Sequence, residues 1–504
     1  MSQPNIIFIM TDTQATNMVG CYTGLPLNTQ HIDALAAKSV KFDAAWTTCP
    51  LCTPARAGLF TGIYANQSGP WTNNIAPGKN MRTMGSYFKA AGWHTGFIGK
   101  WHLDGHDYFG TGICPDEWDA RYWYDGANYL SDLSEQQISL WRNGLNTRQD
   151  LDAYGIDDEF TWAWHISERA IQFIHSARAE PETPFLLVLS YDEPHHPFTC
   201  PSRYVENYEN FSYPLGNKAR DTLADKPTHQ RLWAQAMPSP VTDEKHYVHP
   251  LYFACNDFVD DQIGRVLDSL TADEWDNTWI VYTSDHGEMM GAHRLISKGS
   301  AAYDDICRIP LLIHAPGRKA AVREQPVSHL DLLPTLLDVA GLSVPDALQG
   351  RSLLPLLTAP DRWPERGVMV EFNRYEIEHD SFGGFIPMRA WVTAEYKLVI
   401  NLFDEDELYD RVRDPEEMVN LIHYEEYHER RDRLHDALLA YMDRIRDPFR
   451  GYQWATREWR PDLKPQWMGA FRPKPADGVS PVVRDYDTGL PTKGTKVETK
   501  QQKF

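Results

Sequence analysis

Cys52, Pro54 and Arg56 stand in Cys52-Thr53-Pro54-Ala55-Arg56, a spacing that suits the start of a helix, because proline is tolerated in the first turn. A side chain at that point faces free backbone N–H groups and the positive end of the helix dipole, which favour a developing anion. Other residues able to do chemistry follow at the ends of apolar runs: Asp12 after Ile6–Met10, Lys100 and His102 after Thr95–Ile98, His195 after Phe185–Ser190, and Asp285 with His286 after Thr278–Thr283. Lys298 comes a little later in the chain. Carboxylates, imidazoles and ammonium groups together are what an anionic substrate and a divalent cation would both require.

The apolar runs are the elements that must position these groups. They are short and apolar throughout, as strands buried on both faces are. Between them lie helical patterns, with Ile166, Ala170 and Ile174 on one face and Val259, Ile263, Val266 and Leu270 on another. Strands alternating with helices point to an open, mostly parallel sheet with helices on both faces, whose ligands bind beyond the C-terminal ends of the strands. A helix near Met84–Ala91 stops at Gly92. The segments 114–158 and 198–248 show no clear periodicity and read as insertions, the second offering Lys218, Lys226, His229 and Trp233 to a pocket or its rim.

With 504 residues the chain can hold a large domain and a smaller one. A net charge of −21 argues against nucleic acid or an anionic membrane as partner, so an anionic small molecule would need a local cluster of cations. The run Ile6–Met10 is too short for a membrane span or a signal-peptide core, which leads us to expect a cytoplasmic protein. Of the seven cysteines, Cys49 and Cys52 form one Cys-x-x-Cys, but the surroundings are not those of a thioredoxin-like βαβ unit.

The stretch Cys52-Thr53-Pro54-Ala55-Arg56, continued by Leu59-Phe60-Thr61-Gly62, resembles the signature of the type I sulfatases, formylglycine-dependent members of the alkaline phosphatase superfamily, and in particular their cytoplasmic bacterial members. Gly99-Lys100-Trp101-His102-Leu103 and Pro194-His195-His196-Pro197 resemble two further motifs of that family. The resemblance spans residues 4–446 and implies that Cys52 is oxidised to formylglycine by a maturation enzyme. It implies that the hydrated aldehyde attacks sulfur with one hydroxyl and expels sulfate with the other. It further implies that Asp12, Asp285, His286 and residue 52 bind one divalent metal, calcium by preference with magnesium or manganese open. Arg56 would assist the nucleophile, Lys100 and His102 would serve the hydrate, and His195 with Lys298 would meet the sulfate and the leaving oxygen. Asn73 or Asn74 is a candidate for substrate contact.

Two departures from the family pattern stand out. Thr13 occupies the place of a second aspartate, leaving Thr13 or Gln14 as a replacement oxygen donor. His286 stands where arylsulfatases usually carry asparagine, a feature of choline-sulfatase-like and phosphonate monoester hydrolase-like members.

The expected organisation is a catalytic domain over 1–365, an α+β subdomain with an antiparallel sheet over 366–446, and an irregular tail over 447–504 that wraps the body, with Trp454, Trp459 and Trp467 among its aromatics. The expected activity is hydrolysis of a sulfate monoester of a sugar or of a small alkyl or aryl alcohol. Phosphonate monoester or phosphodiester hydrolysis on the same fold is the alternative, and a non-catalytic anion binder with an unmodified Cys52 is the reading from another class. A homo-oligomer stays open.

Overall fold

The computed structural model of the chain describes residues 3–238, 246–376, 384–463, 484 and 487–491. Its first strand, β1 (Asn5–Thr11), is flanked on both sides by parallel strands and sends alternate side chains into two separate cores. Ile7 and Ile9 join one, and Ile6, Phe8 and Met10 the other. That division is why the strand shows no polar alternation.

The main sheet continues with β2 (Val40–Phe42), β3 (His94–Gly99), β4 (Trp123–Tyr124), β5 (Phe185–Ser190), β6 (Thr278–Ser284), β7 (Leu311–His314) and β8 (Ala321–Arg323). Its spatial order is β8-β2-β7-β6-β1-β5-β3-β4. All neighbours are parallel except β7, which runs antiparallel to both β6 and β2. The mostly parallel sheet expected from the sequence is therefore present, with one reversed strand.

Helices cover both faces. Helix α1 (Cys52–Thr61) lies in one core, while α3 (Trp162–Ala177) and α4 (Pro250–Asp268) lie in the other. The segment 114–158 is not irregular: it supplies the edge strand β4 and then helices, among them α2 (Glu135–Asn143), whose start is capped by Ser134 and Gln137. Its apolar positions are few, Trp141 being the buried one, which hid the period in the sequence. A short helix spans Gln30–Ala36.

Register brings the strand ends together. Met10 lies opposite Ser190, Thr11 opposite Ser284, and Gly99 opposite Ser190, so Asp12, Lys100, Asp192 and Asp285 emerge along one edge. Gly99 is required there: its φ is +118°, and a Cβ would come 1.9 Å from the Ser190 carbonyl oxygen.

A second sheet, of β9 (Val368–Phe372), β10 (Met388–Val392), β11 (Tyr396–Asn401) and β12 (Glu407–Asp410), is antiparallel throughout and packs on α5 (His428–Ile445). Trp454 is buried beside it, and Trp467 lies outside the described residues, as does most of 447–504. Lys397 on β11 joins this sheet to the chain just after Lys298. Its ammonium is buried and donates to Ala302 O (2.6 Å), Asp304 Oδ1 (2.7 Å) and Glu417 Oε1.

Replacing Lys397 with methionine leaves Glu417 without its cation in a buried position, which costs roughly 3–5 kcal/mol. Urea unfolding of Lys397→Met should show a loss of that size. A loss below about 1 kcal/mol, as for a surface pair, would contradict this account.

Candidate active site

Cys52 opens α1, and the helix behind it is buried along its whole length. No side chain of the preceding residue caps the helix. Instead Asn73 Oδ1 accepts the Thr53 N–H at 3.1 Å, so Asn73 holds the end of the helix that presents Cys52. The thiol meets Lys298 Nζ at 2.9 Å and His286 Nε2 at 3.2 Å. Cys49 and Cys52 are both free, and burial pushes the Cys49 thiol well up.

One turn further along α1, Arg56 is fully buried and bridges two carboxylates. Nε donates to Asp285 Oδ2 at 3.0 Å, Nη2 to Asp12 Oδ2 at 3.0 Å, and Nη1 to the Lys100 carbonyl and Ser190 Oγ. All these bonds face the strand ends, so Arg56 ties α1 to the ends of four strands. Lys100 Nζ lies 2.8 Å from Asp12 Oδ2 and 2.9 Å from Asp192 Oδ1. Lys298 Nζ stands 3.8 Å from Asp12 Oδ1.

These contacts set the charges. Burial alone would raise the Asp12 carboxyl, but the charges of Lys100, Lys298 and Arg56 outweigh it and hold it well below the ordinary range. Asp285 is pushed up to about 7 by burial and by the charge of Asp12 beside it. Burial together with Lys100 and Arg56 depresses His102, and burial with Lys100 and Lys298 depresses His195, so both imidazoles are neutral. His286 is lowered to about 4, chiefly by burial.

Asp12, Cys52, Asp285 and His286 are buried with their donor atoms within 4.8 Å of one another. His286 Nδ1 lies 2.9 Å from the Gly287 carbonyl, so it carries the hydrogen and Nε2 turns its lone pair toward the cluster. Two carboxylates and an oriented neutral imidazole fit a divalent cation. The other such group, His31 with Asp260 and Asp261, is different: both oxygens of Asp260 accept the backbone N–H groups of His31 and Ile32.

Of the two candidates for the missing donor, Gln14 turns away. Its Oε1 accepts from Thr11 Oγ1 and from the Tyr282 hydroxyl, and its Nε2 donates to Asn256. Thr13 stays at the cluster, with Oγ1 donating to Asp12 Oδ1 at 2.6 Å and the backbone N–H to Asp285 Oδ1 at 3.3 Å.

His102 and Asn74 form a pair: Asn74 Oδ1 lies 2.9 Å from His102 Nε2. With that oxygen accepting, Nε2 carries the hydrogen and Nδ1, buried and without a partner, has the lone pair. His195 Nδ1 lies 2.8 Å from the His196 carbonyl. Thr13, Asn74, His102 and Ser297 all have positive φ, between 56° and 65°, a strain of roughly 1–3 kcal/mol each that the surrounding hydrogen bonds must hold.

The four side chains offered by the second insertion serve the scaffold. Lys218 pairs with Asp305, Lys226 donates to the carbonyls of Glu417 and Met418, His229 joins Asp404 to Ser300 O, and Trp233 is buried with its indole N–H on Ile296 O. Residues that sequence reasoning passed over are Ser190, Asp192, Tyr108 and His329. Each sits near a motif, but the bond that gives it a role spans 34 residues or more. His329 Nε2 lies 2.9 Å from the Ser284 carbonyl, directly before Asp285.

His329 is buried and its folded pKa is lowered to about 3, mainly by burial. Its unfolded value is about 6.5, so below that pH the unfolded chain binds a proton the folded chain does not, and stability falls as pH drops toward 3. The slope is about 1.4 kcal/mol per pH unit for this group. His329→Asn, which keeps an N–H for Ser284, should flatten the acid limb of unfolding free energy against pH by that amount, and an unchanged limb would refute the assignment.

Residues 4–342 match the sulfatase family, and residues 291–444 match the C-terminal region described for N-sulphoglucosamine sulphohydrolase. An uncharacterized sulfatase, YidJ, of Escherichia coli K12 is 66% identical over 504 residues, covering 100% of both chains. An ulvan-active sulfatase of Formosa agariphila is 29% identical, with 91% of this chain and 84% of that protein covered. The phosphonate monoester hydrolase of Agrobacterium radiobacter superposes with a TM-score of 0.71 at 20% identity, over 88% of this chain and 96% of that one, a likeness of fold.

Proposed function

The chain belongs to the sulfatase family of sulfuric ester hydrolases, and we propose that it cleaves a sulfate monoester with residue 52 as nucleophile, after a maturation enzyme has converted Cys52 to formylglycine. The observation that carries this reading is the convergence of Lys298 Nζ and His286 Nε2 on Cys52 Sγ, above the Asp12–Asp285 pair. Sγ marks the place that a hydroxyl of the hydrated aldehyde would take. A divalent cation held by Asp12, Asp285 and His286 would supply Lewis acidity there, lowering the pKa of that hydroxyl and withdrawing charge from the sulfate. The carboxylates favour calcium, and the imidazole keeps manganese and magnesium in contention.

The chain's own groups divide the remaining work. Lys100 and Lys298, both buried, offer fixed positive charge to the non-bridging oxygens. His102 is neutral, and its free Nδ1 is the base that takes the proton from the second hydroxyl when sulfate leaves; Asn74 fixes the tautomer that makes this possible. His195 spends its Nδ1 hydrogen on the His196 carbonyl, which leaves Lys298 as the donor to the departing alcohol oxygen. Arg56 acts by holding Asp12 and Asp285 at the spacing a cation needs.

No helix among the described residues is long and apolar enough to cross a membrane. All seven cysteines are free, which supports a reducing compartment and our placement of the enzyme in the cytoplasm.

Mass spectrometry of the active enzyme should find the residue 52 peptide lighter than its thiol form by about 18 Da, the change for CH2–SH becoming CHO. Full activity with an alkylatable Cys52 would end the formylglycine reading.

His286 favours a second reading, phosphonate monoester or phosphodiester hydrolysis. Against it stands the Lys100–His102 pair, whose positive charge and base suit three equivalent non-bridging oxygens, whereas a diester brings a second substituent into that space. On one matured preparation, kcat/KM should be higher for phenyl sulfate than for a phenyl phosphonate monoester or a phosphodiester. A clear lead for either phosphorus ester would replace the sulfatase assignment.

A further inference from the structure

Arg142, at the end of α2 in the 114–158 insertion, comes to the wall of the site through one aromatic ring. Tyr108 lies with its ring centroid 4.8 Å from Lys100 Nζ, 5.8 Å from the His195 ring and 6.4 Å from the His102 ring. The Arg142 guanidinium lies over the same ring at 5.2 Å, donates from Nη1 to the Tyr108 hydroxyl, and is flanked by Phe109 and Trp141 at 5.4 Å each. Its charge also reaches His196, where it adds to burial in lowering the imidazole.

What this guanidinium lacks is an acidic partner. Among the described residues no carboxylate lies within ion-pair distance of it, in a protein of net charge −21. Nearby arginines are matched: Arg148 faces Glu206 and Glu209, Arg169 faces Asp132, and Arg203 faces Asp158. Asp107, beside Tyr108, accepts the Phe109 N–H instead. Three rings hold the guanidinium in place, which removes much of the entropic cost of using it, and most of its donors are unspent.

We propose that Arg142, held against Tyr108, is a subsite for a second oxyanion on the alcohol part of the substrate, a carboxylate or another sulfate. The substrate would then be an anionic sulfate ester, such as a sulfated uronate or a multiply sulfated sugar, and not a neutral alkyl sulfate or a cationic one. A fixed guanidinium matches the paired oxygens of a carboxylate or sulfate, and it repels a quaternary ammonium. This rests on the hydrolase reading above, because the first anion must sit at Lys100 and Lys298 for the second to reach Arg142.

The test compares kcat/KM for phenyl sulfate, 3-carboxyphenyl sulfate and benzene-1,3-disulfate esters, with the matching phenyl and carboxyphenyl phosphonates, on wild type, Arg142→Gln and Arg142→Lys. Wild type should favour the doubly anionic ester by about tenfold or more at low salt, the scale of one charged hydrogen bond. Arg142→Gln should bring that ratio close to one, and Arg142→Lys should fall between. The carboxylate and disulfate arms tell which oxyanion is preferred. Should Arg142→Gln fail to fold, the wild-type ratio must still fall as salt rises from about 0.01 M to about 1 M, where the Debye length shrinks from about 30 Å to about 3 Å.

A ratio near one in wild type, or a ratio unmoved by both Arg142→Gln and salt, overturns the subsite. If only phosphonates turn over, with an Arg142-dependent carboxylate preference, the sulfatase reading falls and the subsite stands. If no ester turns over, calorimetry of phenyl and 3-carboxyphenyl sulfate on Cys52→Ala reads the same preference as a ratio of Kd values: a ratio of about ten supports the subsite and equal values overturn it.

Discussion

Two carboxylates buried side by side govern this structure. Parallel pairing of β1 with β6 sets Thr11 opposite Ser284, so Asp12 and Asp285 must leave the sheet as neighbours, both with no solvent exposure. Like charges so close and so dry repel strongly, and each also loses its hydration. Arg56 answers both costs at once by placing one N–H on each carboxylate, and Lys100 adds a second cation on Asp12. For Arg56 to reach them, α1 has to lie buried along the strand ends. That same placement puts Cys52, one turn earlier, at the mouth of the carboxylate pair. Charge compensation and the placement of Cys52 are thus one constraint.

The loops around this centre are held by contacts that cross the molecule. Asn73 receives the Thr53 N–H and donates its own backbone N–H to the Tyr375 carbonyl just beyond β9, which links the helix end that carries Cys52 to the smaller sheet. Lys397 of that sheet supports the chain after Lys298. Left-handed residues at Thr13, Asn74, His102 and Ser297 would relax in isolation. They stay in place because a packed sheet on each side fixes the ends of their loops. A catalytic group on such a loop gains the precision of the scaffold beneath it.

Local positive charge inside an acidic chain has a consequence for recognition. Lys100, Lys298 and Arg56 are mostly spent on Asp12 and Asp285, and a bound dication would free part of that charge for a sulfate. The unmatched guanidinium of Arg142 lies outside this exchange. Under the subsite proposed above, the insertion that carries it would distinguish one anionic ester from another, while the strand ends would supply the chemistry common to all of them.

Legible in the residues alone were the apolar strands, the polar residues at their C-terminal ends, and a helix that begins at Cys52. Those features are local: strand burial on two faces shows as an unbroken apolar run in Ile6–Met10 and Phe185–Ser190, and a helix start shows as Pro54 just behind Cys52. The sequence also brought Asp12, Lys100, His102, His195, Asp285 and His286 forward as one set, because strand ends in an open parallel sheet share an edge, whereas Lys298 entered through the family resemblance. What each group is bonded to follows from the fold and not from the local sequence. Gln14 and Thr13 are adjacent in the chain, yet one is spent on Asn256 and Tyr282 and the other stays with Asp12. Asn73 and Asn74 look alike as turn residues, yet one caps α1 and the other sets the tautomer of His102. Arg142 carries no motif at all, and α2 lacked the apolar stripe that would have announced it. Such roles depend on the direction of a side chain and on partners tens to hundreds of residues away, and neither leaves a period or a spacing in the sequence.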